Sequence, residues 1–264
     1  MDSEEGPHGR WPAVALGPGP GRGPAAPLGV DLATFAAAHH DRRVRDAYAA
    51  PGETLLVHCG RLSPEKKPQR SLNTLATLRA NGLPARLVVA GDGPLRRRLE
   101  RRAARDRLPV TFAGFLPDRS DLAALLASAD VAIAPGPAET FGLAGLEALA
   151  CGTPVVVSAE SALPEVVGEA GASVTGEDLA AGVTTVLSRP EPTRRAAARA
   201  RAEHFGWPAA VRAFLAIHEA LVADEAGEGD RPAADLAEGR GQVGGGVAAG
   251  AGAGTGVRTE RRPT

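Results

Sequence analysis

The sequence predicts an α/β fold, a doubly wound Rossmann-like parallel sheet, and three observations carry that reading. Short apolar runs recur between residues 55 and 174, and most end in a Gly- or Pro-containing loop. Segments of helical periodicity separate them, which is the alternation of a parallel sheet with right-handed crossovers. Low-complexity text at both ends leaves residues 29–222 as a single folded domain, with 1–28 and 223–264 expected to be disordered.

Taken in order, Leu55–Cys59 is the first strand candidate. It is followed by the loop Gly60–Pro68 and a helical pattern through Leu72, Leu75 and Leu78 to Asn81-Gly82. Arg86–Ala90 is the second, with Gly91-Asp92-Gly93-Pro94 turning into an Arg-rich helix over 95–107. Val110–Gly114 is the third, linked by Phe115–Asp121 to a small helix over 122–128. Val131–Ala134 ends in Pro135, and a helix opening near Phe141 is closed by Gly152, suited to the left-handed residue after a helix, and by Pro154. Leu143, Leu146, Leu149 and Ala150 repeat at helical spacing and are expected to face the sheet. Val155–Val157 and Ala172–Val174 complete the strands, a helix over 178–187 follows, and Trp207 to Val222 forms the last amphipathic helix.

Length and composition narrow the partners. The chain has 264 residues, 44% hydrophobic and 23% charged, enough for one substantial core or two small ones. A net charge of −1 with 3% aromatic residues argues against nucleic acid. The text MDSEEGPHGRWP is acidic and Pro-rich, unlike a signal sequence, and no run reaches membrane-spanning length, so a cytoplasmic chain is expected. Cys59 and Cys151 are isolated thiols and the histidines are scattered, so no metal site is expected. Arg96, Arg97, Arg98, Arg101, Arg102 and Arg105 cover several helix faces. They read as a solvated or partner-facing surface, with contact to a membrane surface as the alternative.

Chemistry concentrates in Ala129–Ser158. The helix start there lies just past the carboxyl end of a strand, where unpaired backbone N–H groups and the dipole favour an anion. Glu139 and Glu147 frame that start, either as ligand-binding groups or as a solvated or ion-paired couple in which Arg119 is one partner.

Pro135, Glu139-Thr140-Phe141-Gly142-Leu143, Leu146-Glu147-Ala148 and Gly152-Thr153-Pro154-Val155-Val156 together resemble the E-x7-E signature of retaining nucleotide-sugar glycosyltransferases of the GT-B fold, family 4, also called group 1. The wording is most similar to actinobacterial GDP-mannose-dependent mannosyltransferases. Gly60-Arg61-Leu62 with Lys66 resembles that family's diphosphate loop, Gly91–Pro94 its G-x-G-P turn, and Leu28–Phe35 the segment that opens its second domain. The resemblance covers residues 29–222 and implies a C-terminal donor-binding domain.

Carried over, Glu139 sits against the donor sugar, Glu147 binds the ribose, and the Gly142-Leu143-Ala144 backbone with Arg61 and Lys66 receives the diphosphate. Glu139, Arg61 and Lys66 are then the residues that carry the reaction, because the leaving diphosphate gains charge as the glycosidic bond breaks. The family's backbone around Phe115–Pro117 helps hold the base. Thr140 and Lys67 stand where glycine is common, and Lys67 is expected to share the role of Lys66.

The implied reaction transfers a hexose, with mannose favoured, from a nucleoside diphosphate sugar to the hydroxyl of an acceptor sugar or glycolipid, with retention of configuration. No cofactor or metal is implied, and work at the inner face of the membrane is the alternative to a purely cytoplasmic place. The family's acceptor domain has no counterpart in residues 1–28, so the chain reads as truncated. A nucleotide-sugar-binding remnant without transfer activity is one alternative, and a nucleotide-sugar epimerase a less favoured one.

Overall fold

The computed structural model describes residues 28–139 and 141–228. The expected disorder of 1–27 and 229–264, and the departure at Thr140, fall outside the described residues. Six strands form one parallel sheet: β1 Thr54–Cys59, β2 Ala85–Ala90, β3 Val110–Gly114, β4 Val131–Ala134, β5 Val155–Ser158 and β6 Ala172–Val174, in the order β3-β2-β1-β4-β5-β6. The ladder from β1 to β2 pairs every residue from Thr54↔Ala85 to Cys59↔Ala90. The ladder from β1 to β4 has only Leu56↔Val131 and Val57↔Ala132.

Nine α-helices connect or flank the strands among the described residues: α1 Arg42–Tyr48, α2 Gln69–Ala80, α3 Arg96–Arg105, α4 Arg119–Ser128, α5 Leu143–Ala150, α6 Leu163–Val167, α7 Ala180–Leu187, α8 Glu191–Glu203 and α9 Trp207–Glu228. All six strands lie in the compact unit that ends at Leu221. The last helix runs past Val222, where the folded domain was expected to stop.

Alternate strand residues serve opposite faces, as the pleat requires. Leu55, Val57, Val88, Val155 and Val157 join the core beneath α4, α5 and α8, while Leu56, Leu87, Val89, Val131 and Ile133 join the one beneath α2, α3 and α7. Asp130, just before β4, pins the amino edge of the sheet by accepting from Leu55 N at 2.8 Å and from Arg45 Nη2 at 2.9 Å.

Three helices were not foreseen, α1, α6 and α8. In α8, Arg194, Ala198 and Ala202 are buried at four-residue steps, and Arg199 Nη1 donates to Ala150 O at 2.9 Å, which ties α8 to the carboxyl end of α5. One expectation about α5 is corrected. Leu143 is 45% exposed and does not face the sheet, because it is the first residue of the helix and lies at its open mouth; Leu146, Leu149 and Ala150 are fully buried.

Candidate functional site

Strand order reverses direction between β1 and β4, so the helices that follow these two strands, α2 and α5, lie on opposite faces of the sheet and a crevice opens at its carboxyl edge. The loop after β1 is held flat against the one after β2. Leu62 N donates to Asp92 O at 2.9 Å and Leu95 N to Leu62 O at 3.0 Å. Glycine is required there: a Cβ on Gly91 would stand 1.9 Å from Gly60 O.

Across the crevice, Gly142 caps α5 with φ 69°, and a Cβ on it would meet Leu163 Cδ2 at 2.2 Å. The first helical hydrogen bond runs from Leu146 N to Gly142 O, so the N–H groups of Leu143, Ala144 and Gly145 precede it and face outward from the helix end.

A cavity of about 200 Å³ lies between the two loops, lined by Arg61, Lys66, Glu139, Gly142, Leu143 and Ala144 together with His58, Gly145 and Pro135. Six of the residues singled out in the sequence therefore meet in one place. Lys66 Nζ and Glu139 Oε1 form an ion pair at 2.9 Å, with side chains 28% and 22% exposed. The loops themselves touch, since a Cβ on Gly136 would lie 3.1 Å from Lys66 Cα. An adjoining cavity of about 370 Å³ shares Cys59, Gly60 and Arg61 with the first and is lined further by Asp92, Phe115, Leu116 and Leu122. Arg61 thus stands at the junction, and the exposed ring of Phe115 edges the second chamber.

Glu147 is among the lining residues of neither cavity. Its carboxylate is half-buried, which raises its pKa above the ordinary value, and Arg119 opposes that rise from 3.7 Å. Arg119 in turn lies over the Phe35 ring at 5.0 Å. Burial pushes the Cys59 thiol up to about 12, with the Glu147 charge adding to the effect, so this thiol is neutral and unreactive.

Lys67 does not line the cavity with Lys66; it lines a separate groove with α3. Its backbone takes the left-handed conformation, φ 48° and ψ 45°, so the turn has the shape that glycine would give it, at a cost of about 1–2 kcal/mol for a side-chain-bearing residue.

Two groups escaped the sequence reading. Arg70, with only 5% of its side chain exposed, pairs with Glu160 at 3.0 Å and Glu177 at 2.9 Å and donates to Pro135 O and Ser158 Oγ, both at 3.3 Å. It therefore joins the segments that leave β4, β5 and β6. His58 Nδ1 is hydrogen-bonded to Ser71 Oγ at 3.0 Å, and burial pushes its pKa down to about 4, so the imidazole is neutral. No local pattern marks either residue, since their partners lie on other elements.

Residues 41–203 match the family model described as glycosyl transferases group 1. The chain belongs to that family. It is 56% identical over 198 residues to the GDP-mannose-dependent alpha-(1-6)-phosphatidylinositol dimannoside mannosyltransferase of Mycobacterium tuberculosis, covering 74% of this chain and 51% of that protein. Among solved structures, sucrose-phosphate synthase from Thermosynechococcus elongatus is 29% identical with a TM-score of 0.62, over 75% of this chain and 52% of the other.

The C-terminal domain of a glycosyl transferase group 1 family protein from Francisella tularensis, 21% identical, shares the fold. Its TM-score is 0.56, over 66% of this chain and 95% of that domain. The group 1 chain described here thus spans about half the length of the curated relatives it matches. No helix among its described residues is long and apolar enough to cross a membrane.

Proposed function

We propose that this group 1 domain binds a nucleoside diphosphate sugar, GDP-mannose favoured, for transfer of the hexose to an acceptor hydroxyl with retention of configuration. The observation that carries the reading is the convergence of Arg61, Lys66, Glu139 and the amino end of α5 on one cavity at the topological switch point. Two cations and a row of backbone N–H groups suit a diphosphate and grow more favourable as it departs with increased charge. Glu139, ion-paired to Lys66, is placed to accept from sugar hydroxyls and orient the anomeric carbon. The chamber beyond Arg61, lined by Phe115, Leu116 and Leu122, suits a nucleobase, and Glu147, which lines neither chamber, is assigned to the ribose by its place in the family motif alone. Choice of mannose and of a guanine base rests on the mycobacterial relative's name, as does the choice of a lipid-borne acceptor.

Calorimetric titration of GDP-mannose, UDP-glucose and UDP-N-acetylglucosamine tests the donor. GDP-mannose is expected to bind most tightly and to lose most of its affinity in Arg61→Ala. Equal affinity for all three, unaffected by that substitution, would sink the assignment. Product analysis with a mannolipid acceptor distinguishes transfer from binding alone.

A further inference from the structure

The loop after β1 has a second face. Where Arg61 and Lys66 turn inward to the donor cavity, Pro64 and Lys67 turn to a larger groove of about 850 Å³ against α3, lined also by Gln69, Leu95, Leu99 and the arginines Arg98, Arg101, Arg102 and Arg105. Among the described residues five cations and no carboxylate line it. Arg102 and Arg105 share Asp106, at 3.3 and 2.8 Å, whereas Arg98 and Arg101 have no carboxylate partner among the described residues. Glu177, whose charge Lys67 influences, is already held by Arg70.

Lys67 carries the strongest signal. Its backbone sits in the left-handed region, where glycine would be relaxed, so the sequence places a cation on this groove against local conformational preference. Among the described residues no aromatic side chain lines the groove to stack a base, and Leu95 and Leu99 add apolar surface beside the charges.

We propose that the groove between the start of α2 and α3 docks on the phosphate layer of an anionic phospholipid membrane, with Lys67, Arg98, Arg101 and Arg105 as its contacts. The proposal deepens the reading of a lipid-borne acceptor and is tested apart from it. Because one loop serves both faces, a membrane held at Lys67 brings the donor cavity alongside the surface that carries the acceptor.

The test is co-sedimentation of the full chain with phosphatidylglycerol–phosphatidylcholine vesicles, beside pure phosphatidylcholine vesicles and a titration with inorganic phosphate alone. Wild type is expected to sediment only with the anionic vesicles and less as salt rises. Each arginine removed is expected to weaken binding roughly fivefold, so Arg98→Gln/Arg101→Gln/Arg105→Gln loses about a hundredfold while its affinity for GDP stays that of wild type. Should the triple variant fail to fold, Arg101→Gln alone, at an exposed position, still gives the fivefold loss. Equal binding to neutral vesicles, unchanged sedimentation of the variants, or saturable phosphate binding or duplex DNA binding through these arginines without vesicle binding would each overturn the proposal. Failure of wild type to bind GDP would instead overturn the donor reading, whatever the vesicles show.

Discussion

Glu139→Gln should tighten binding of bare GDP while weakening that of GDP-mannose. The Lys66 ammonium is engaged at 2.9 Å by the Glu139 carboxylate, so a diphosphate must compete for it and approach a negative charge as it does so. At that separation two unit charges attract by about 1.4 kcal/mol in bulk water and about 6 at an effective dielectric of 20. Side chains 28% and 22% exposed hold the pair between these limits, and the cost of desolvating both charges offsets much of the attraction, which leaves a net contribution of about 1 kcal/mol, the upper end for exposed pairs. Releasing Lys66 and removing the repulsion should therefore improve GDP affinity by about 1 kcal/mol, near fivefold.

The glutamine cannot replace a charged acceptor for a sugar hydroxyl, a loss of about 1.5–3 kcal/mol for the sugar-bearing ligand. Its net affinity should then fall. Calorimetry with both ligands, at low and at physiological ionic strength, reads the split, and the gain for GDP should shrink with salt. A Glu139→Gln variant that binds GDP no better, or worse, at low salt would refute the picture of Lys66 as a shared cation.

Arg61→Ala and Lys66→Ala should each weaken GDP by about 1.5–3 kcal/mol and leave guanosine nearly untouched, as titrations of the two ligands would show. Glu147→Gln should weaken GDP and GDP-mannose alike. It should also raise the melting temperature near neutral pH, because the half-buried wild-type carboxyl has its folded pKa above the ordinary 4.5. With the folded state the more avid proton binder, wild-type stability falls as pH rises from about 4.5 through that raised value. Melting curves of the variant should lack this fall; identical pH profiles would contradict the burial argument. Arg70→Met should cost about 2 kcal/mol in urea unfolding, since Pro135 O and Ser158 Oγ lose a donor where water reaches poorly.

How far the sequence revealed all this varied with where the information lay. The bounds of β3, β4 and β6 are those their apolar runs predict, because each run is closed within a residue or two by Gly, Pro or a polar turn. The cavity was legible through two local motifs, one after β1 and one after β4, that the sheet order brings together. Arg70 was not legible, since its partners stand at 135, 158, 160 and 177. Helix α8 was missed although its signals were present: a Pro in the first turn and Ala/Arg text of high helix propensity that lacks the usual apolar stripe. The separation of Lys66 from Lys67 needed the backbone, because adjacent residues read alike in sequence but diverge when the second turns left-handed.

The order of the sheet also divides it into two runs of contiguous chain, which meet where β1 pairs β4 at Leu56↔Val131 and Val57↔Ala132. One half is the contiguous chain from β1 to β3, the other from β4 to β6, and the cavity lies above the junction with a wall from each. A guest there acts as a clasp. The hydrogen-bonded pair across the junction, Asp130 N–H with Leu55 O, should exchange through a local parting of the halves before the pair Leu87 N–H with Pro109 O inside one half, and GDP should slow the first pair more than the second. Uniform protection of both pairs by GDP would show the sheet opening as one. If the clasp holds, donor occupancy is felt as mechanical cohesion of the whole sheet.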